Sequence, residues 1–201
     1  MREEKIRSFI AFDLNEPAIL SRISELQSEL SQTGSNLRIV SPDNLHVTLS
    51  FLGEISQTTI SQITSELEQI EFSPFKLSLR GVGAFPNLRR INVIWVGIDK
   101  GREDLEEIFQ LLRPKLVRLG IPRIGQRFSP HITIARVGSG RNIGQLSKKM
   151  FAIGDIELGE SFLDTLRLKK SVLTPKGPVY MTLTEKKGKD VNAKSQLTSK
   201  N

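Results

Sequence analysis

The chain has no cysteine and only two histidines in 201 residues. Without cysteine there is no disulfide, no thiolate metal site and no cysteine nucleophile; the usage fits a protein of the reducing cytoplasm. No apolar run approaches the roughly 20 residues that span a bilayer, so no membrane partner is expected. The opening MREEKIRSFIAFDL carries acidic residues and lacks the apolar h-region of a signal peptide. A nucleophile elbow, G-x-S-x-G, is missing; the nearest string, GSGRNIG at Gly138–Gly144, is a turn-rich loop. It also lacks the Gly-Lys-Ser/Thr ending of a P-loop.

What is present is an ordinary globular composition, 38% hydrophobic and 25% charged, at a length that fits one domain with a substantial core. The net charge of +7 is uneven. Residues 186–201, KKGKDVNAKSQLTSKN, hold five lysines against one aspartate, so +4 lies there and +3 elsewhere. That composition predicts a solvated, disordered basic tail after a folded unit of residues 1–185.

The folded unit repeats itself weakly. His46 and His131 lie 85 residues apart. The same shift lays Ile6–Asp13 on Ile91–Ile98, both rich in strand formers. It also lays Glu16–Thr33 on Arg102–Arg118, both with apolar residues at helical spacing. Asn15 is the expected N-cap of the first helix, with Pro17 in its opening turn. Pro114 predicts a kink or break in the second. Each helix leads to a histidine strand, Leu45–Leu52 and His131–Val137. A helix over Ser56–Ile70, capped by Ser56, has a weaker counterpart near Asn142–Phe151. Alternating segments follow at Phe75–Phe85 and Asp155–Lys170, then a last strand at Val179–Thr184. The expected fold is α+β: half-repeats of about 6–85 and 91–184 forming two pseudo-two-fold-related lobes of antiparallel sheet, helices outside and a cleft between.

Both histidines are followed by aliphatic, threonine, aliphatic: HVTL and HITI. Alternate residues of a strand share a face. His46 and Thr48 therefore point one way and Val47 and Leu49 the other; His131, Thr133, Ile132 and Ile134 repeat the pattern. With eleven threonines in the chain, threonine two places after both histidines arises by chance about once in 300 such chains. Two imidazoles and two hydroxyls around one small substrate suit a phosphoester. One neutral imidazole takes a proton from the attacking oxygen, and one imidazolium gives a proton to the departing oxygen. The hydroxyls donate to the non-bridging oxygens as charge gathers there. A metal would need three or four ligands, and neither motif has a carboxylate on the histidine's face, so neither metal nor cofactor is expected.

LHVTLSFLGE and RFSPHITIAR resemble the two signature motifs of the 2H phosphoesterase superfamily, and in particular its RNA 2′,3′-cyclic phosphodiesterase (2′-5′ RNA ligase) family. The resemblance runs from about Arg7 to Leu183 and leaves the tail uncovered. It implies a bilobal fold and metal-independent opening of a 2′,3′-cyclic phosphate to a 2′-phosphomonoester, on RNA ends or small cyclic nucleotides, with reversible 2′-5′ ligation. It implies His46 as proton donor to the 3′ oxygen, His131 as acceptor from water, and Thr48 and Thr133 as phosphate ligands. Arg136 matches a basic position after the second motif, but strict alternation from His131 puts it on the opposite face. Arg127, in the loop before the motif, is a second candidate for the nucleotide. Phe9, Phe12, Phe51, Trp95 and Tyr180 are available for base stacking, and alternation singles out none. Competing readings are a binding module without turnover and a phosphodiesterase for 2′,5′-oligoadenylate or another cyclic phosphate. No protein partner is implied, and a monomer is expected.

Overall fold

The structure is a computed structural model that describes residues 4–121, 128–175 and 177–189. The first half of the chain forms β1 (Lys5–Asp13), α1 (Pro17–Ser31), a short β2 (Leu37–Ile39), β3 (His46–Ser56), α2 (Gln57–Glu68) and β4 (Phe75–Asn87). The second forms β5 (Arg90–Ile98), α3 (Arg102–Arg118), β6 (Ile132–Val137), α4 (Ile143–Ala152), β7 (Glu157–Leu163), β8 (Thr165–Thr174) and β9 (Gly177–Lys187). All pairings are antiparallel, in the order β7-β4-β5-β6-β3-β1-β8-β9, with β2 added to β6.

The lobes meet at a narrow seam. β3 and β6 are paired at Val47 and Ile132 alone. On one side lie β3, β1, β8 and β9; on the other β6, β5, β4 and β7. Each lobe draws on both halves of the chain. β4, from the first half, pairs with β5 and β7, while β8, from the second, pairs with β1. The helices cross over too: α1 packs on β6, β7 and α4, and α2 and α3 pack on β3 and each other. Neither half can bury its apolar faces without the other.

The core follows the apolar pattern. Ile10, Ile23, Leu30, Ile63, Leu77, Ile94 and Leu105 are fully buried, each worth about 1.5–3 kcal/mol relative to exposure. Phe12 is fully buried too, edge-on to Phe72 and Phe75 at 5.6 Å each, which removes it from the stacking candidates.

Several local expectations change. The N-cap of α1 is Glu16, not Asn15, because Pro17 takes the first helical position and leaves Asn15 one residue outside. Ser56 does cap α2, its Oγ accepting from the Thr59 N–H at 3.1 Å. Pro114 does not break α3, whose buried stripe of Leu105, Ile108, Leu112 and Leu116 runs past it and holds both sides to the core. Asp155–Lys170 is not one strand. It divides at Asp164 into β7 and β8, which belong to different lobes. The folded chain continues beyond Glu185. Lys186 and Lys187 pair with Leu166 and Thr165 in β8, and the Gly188 and Lys189 N–H groups donate to Asp164 O at 2.7 Å and Phe72 O at 2.9 Å. The rest of the basic tail lies outside the described residues. No helix among those described is long and apolar enough to cross a membrane.

Candidate active site

The seam creates the site. Extending the Val47–Ile132 register by one residue each way sets His46 opposite Thr133, and Thr48 opposite His131, on the face away from the helices. The two histidines are thus diagonal cross-strand neighbours, a relationship that spans about 7–8 Å between backbones. The intervening Val47 and Ile132 are fully buried and anchor the seam from the core side. All four polar residues line one cavity of about 690 Å³, with Phe51, Arg136 and Tyr180 also on its wall.

Both imidazoles are held the same way. His46 Nδ1 lies 2.6 Å from Asn44 O, and His131 Nδ1 lies 2.7 Å from Ser129 O. A carbonyl only accepts, so each Nδ1 carries the proton and each Nε2 is left for chemistry. This backbone tether two residues upstream of each histidine has no residue-type signature in the sequence. Aromatic rings then fix the imidazole planes. Phe9 and Tyr180 stand 5.0 and 5.3 Å from His46, and Phe85 and Trp95 stand 4.9 and 6.2 Å from His131. Trp95 lies so close over Gly83 that a Cβ there would clash with its ring.

A one-residue bulge follows each motif. Opposite β1, Thr48 faces Ala11 but Ser50 faces Ile10, so Leu49 is extra; Phe51 then faces Phe9. Opposite β5, Thr133 faces Trp95 but Ala135 faces Ile94, so Ile134 is extra; Arg136 then faces Val93. Each bulge inverts the alternation. Phe51 and Arg136, both five places after their histidine, therefore return to the cavity face. The bulge removes the objection that strict alternation raises to Arg136 as a substrate-binding candidate. The same registers make Ala11 and Trp95 equivalent, a shift of 84 and not the 85 that relates the histidines.

Among the proposed stacking residues, Phe9 is buried and Phe51 is 63% exposed on the cavity wall. Arg127 lies outside the described residues. Further residues at the site carry no motif. Asp13 faces His46 across β1 and β3. Its carboxylate meets Lys169 Nζ at 2.5 Å and Arg167 Nε at 3.7 Å. Asn44 Nδ2 donates to Pro178 O at 3.0 Å, tying the β8–β9 hairpin to the turn that holds His46. Among the described residues no three of His, Cys, Asp and Glu lie together as a metal-binding group.

Burial pushes the His46 imidazole below its ordinary pKa; the Asn44 carbonyl and the Asp13 carboxylate pull it up, and Lys169 and His131 push it down. Burial raises the Tyr180 phenol against the opposite pull of Arg136 and Arg7. The first shift has a stability consequence. Between the folded and unfolded pKa of His46 the unfolded chain binds more protons, so stability rises with pH there. This contribution is complete above about pH 6.5 and is lost as pH falls through the lower folded value. The thermal midpoint of the wild type should therefore drop between pH 7 and 5 by more than that of His46→Gln. Parallel curves would show that His46 does not cause the drop.

Two antiparallel lobes joined at a seam that carries one histidine–threonine pair from each half define a phosphoesterase of the two-histidine class. The chain belongs to the LigT-like phosphoesterase family, whose pattern matches residues 14–95 and again 96–180. It is similar to the RNA 2′,3′-cyclic phosphodiesterase of Aeropyrum pernix, at 37% identity over 84% of this chain and 96% of that protein. The protein of the same name from Archaeoglobus fulgidus is 36% identical over 89% of this chain and 98% of its own. The crystal structure of E. coli LigT complexed with 3′-AMP matches with a TM-score of 0.76 and 26% identity, covering 93% of this chain and all of that one.

Proposed function

We propose that the protein hydrolyses 2′,3′-cyclic phosphodiesters on RNA ends or nucleosides to 2′-phosphomonoesters. The observation that carries this reading is the pair of Nδ1-tethered imidazoles that line one cavity together with Thr48 and Thr133. The curated relatives support it by name.

In this mechanism His131 Nε2 takes a proton from water as the water oxygen attacks phosphorus. The P–O3′ bond breaks, and His46 Nε2–H protonates O3′. The product keeps its phosphate on O2′, His46 ends neutral and His131 protonated, and solvent exchange resets both. Thr48 and Thr133 donate to the non-bridging oxygens. Phe51 offers its free face to the base. Arg136 adds positive charge on the same wall. His46 meets its role through coupling: a phosphodiester anion beside Nε2 favours the imidazolium that burial disfavours. An imidazolium with a lowered pKa is also the stronger acid toward a departing alkoxide.

The test uses the four nucleoside 2′,3′-cyclic phosphates in EDTA, with 2′- and 3′-monophosphate resolved. The expected outcome is 2′-monophosphate, chelator-resistant turnover and a bell-shaped pH profile whose limbs belong to the coupled pair. Activity lost on chelation and restored by a divalent ion would contradict the mechanism. No turnover of any of the four would favour a binding module.

A further inference from the structure

β3 pairs with β6 at Val47, and β2 takes over the same edge of β6 further along. There Leu37, Arg38 and Ile39 face Val137, Arg136 and Ala135. Arg38 thus stands directly opposite Arg136. Directly opposed residues share a sheet face, with Cβ atoms about 4.5–5.5 Å apart. The bulge at Ile134 has already placed Arg136 on the cavity face, and Arg38 follows it there; both line the cavity. Both side chains are exposed, and neither makes a salt bridge among the described residues. Like charges directly opposite destabilise a sheet pair. Two unneutralised guanidiniums held side by side at a cavity wall are a site for an anion with several acceptor oxygens, and phosphate fits their forked donors.

The position separates this site from the reacting phosphate. That phosphate already has two imidazoles and two hydroxyls around it. Beyond the bulge, Arg136 lies one same-face step from Thr133, roughly 6.6 Å along the strand, and Arg38 lies one strand further, about 4.8 Å across. Phe51 is the pseudo-symmetric counterpart of Arg136, so one motif ends in an aromatic face and the other in a cation.

From this we infer that Arg38, with Arg136, binds a second phosphate of the substrate, next to the one that reacts, and so selects substrates with more than one phosphate. The inference rests on the phosphodiesterase reading of the cavity. Such a phosphate has two sources: the 5′-phosphate of the terminal nucleotide, which in RNA is the last internucleotide linkage, or a phosphodiester further upstream in the strand.

The experiment compares wild type with Arg38→Ala on three substrates: adenosine 2′,3′-cyclic phosphate, the same nucleotide carrying a 5′-phosphate, and a short RNA ending in the cyclic phosphate. The expected result is a loss of kcat/KM on the RNA at least ten times the loss on the one-phosphate nucleotide, expressed mainly in KM and shrinking as salt rises. An equal extra loss on the 5′-phosphorylated nucleotide assigns the terminal nucleotide's own phosphate. A loss confined to the RNA assigns a phosphodiester upstream of the terminal nucleotide. Arg22→Ala, an exposed arginine on α1, controls for net charge and should leave the ratio unchanged. Equal losses on all three substrates, or none, would overturn the inference. If the wild type turns over none of them, the phosphodiesterase reading fails. Arg38 is then judged by fluorescence anisotropy with the same RNA, and an unchanged Kd in Arg38→Ala overturns the second-phosphate site.

Discussion

His46→Ala and His131→Ala are each expected to slow hydrolysis by about 10²–10⁴-fold, the usual contribution of one positioned proton-transfer group. The two imidazoles serve one transition state, so the double variant should lose far less than the product of the single losses. The pH profile tells the roles apart. Loss of the acid removes the basic limb, because that limb reports deprotonation of the donor. Loss of the base removes the acidic limb. Leaving-group chemistry gives an independent reading. A p-nitrophenyl phosphodiester departs without needing a proton, so it should rescue His46→Ala more than His131→Ala. The reverse order would exchange the assignments, which the near-symmetry of the two Nδ1 tethers makes a real contest. Wild-type turnover from either variant would reduce the repeated pattern to packing. Circular dichroism should accompany the series, since His46 is tightly packed by Phe9 and Tyr180.

Much of this site was legible in the sequence because its period-two logic is local. Val47, Leu49, Ile132 and Ile134 are buried as alternation demands, which leaves the histidines and threonines on the other face. Alternation fails at the next residue in both halves. A bulge has no reliable residue signature, yet it reverses every side chain after it. Strict alternation therefore objects to Arg136, although its place after the motif makes it a substrate-binding candidate, and Phe51 could not be singled out. Arg38 was invisible for another reason: three residues of β2 are too few to show a period. The exchange of β4 and β8 between lobes depends on long-range pairing, which local pattern does not encode. The tethers from Asn44 and Ser129 are made by backbone carbonyls, which every residue possesses. Lys169 reads in the sequence as a surface cation on a strand. The ion pair with Asp13 explains why it is buried to 4% exposure.

Thr48→Val and Thr133→Val should each lower kcat by about 10²–10³-fold, the cost of one donor in an oxyanion-type site. Valine keeps the shape and β-branching of threonine, so the strand and its seam persist while the hydroxyl is lost. Both threonines line the cavity half-buried, and neither hydroxyl has a protein partner among the described residues. Each is free to donate to a phosphate oxygen. Negative charge on the non-bridging oxygens is better matched by these donors in the transition state than in the ground state. The loss should therefore fall on kcat, with KM nearly unchanged. Thr48→Ser and Thr133→Ser retain the hydroxyl and should recover most of the rate. The register adds a sharper expectation. Continuing the Val47–Ile132 register one residue each way puts Thr133 beside His46 and Thr48 beside His131, so each hydroxyl would share its oxygen's surroundings with the imidazole of the other motif. Thr133→Val combined with His46→Ala should be strongly non-additive, because both changes disturb one end of the same phosphate. A rise in KM at constant kcat would show that the hydroxyls only hold the ground state, and full additivity would remove the cross-seam pairing from the mechanism.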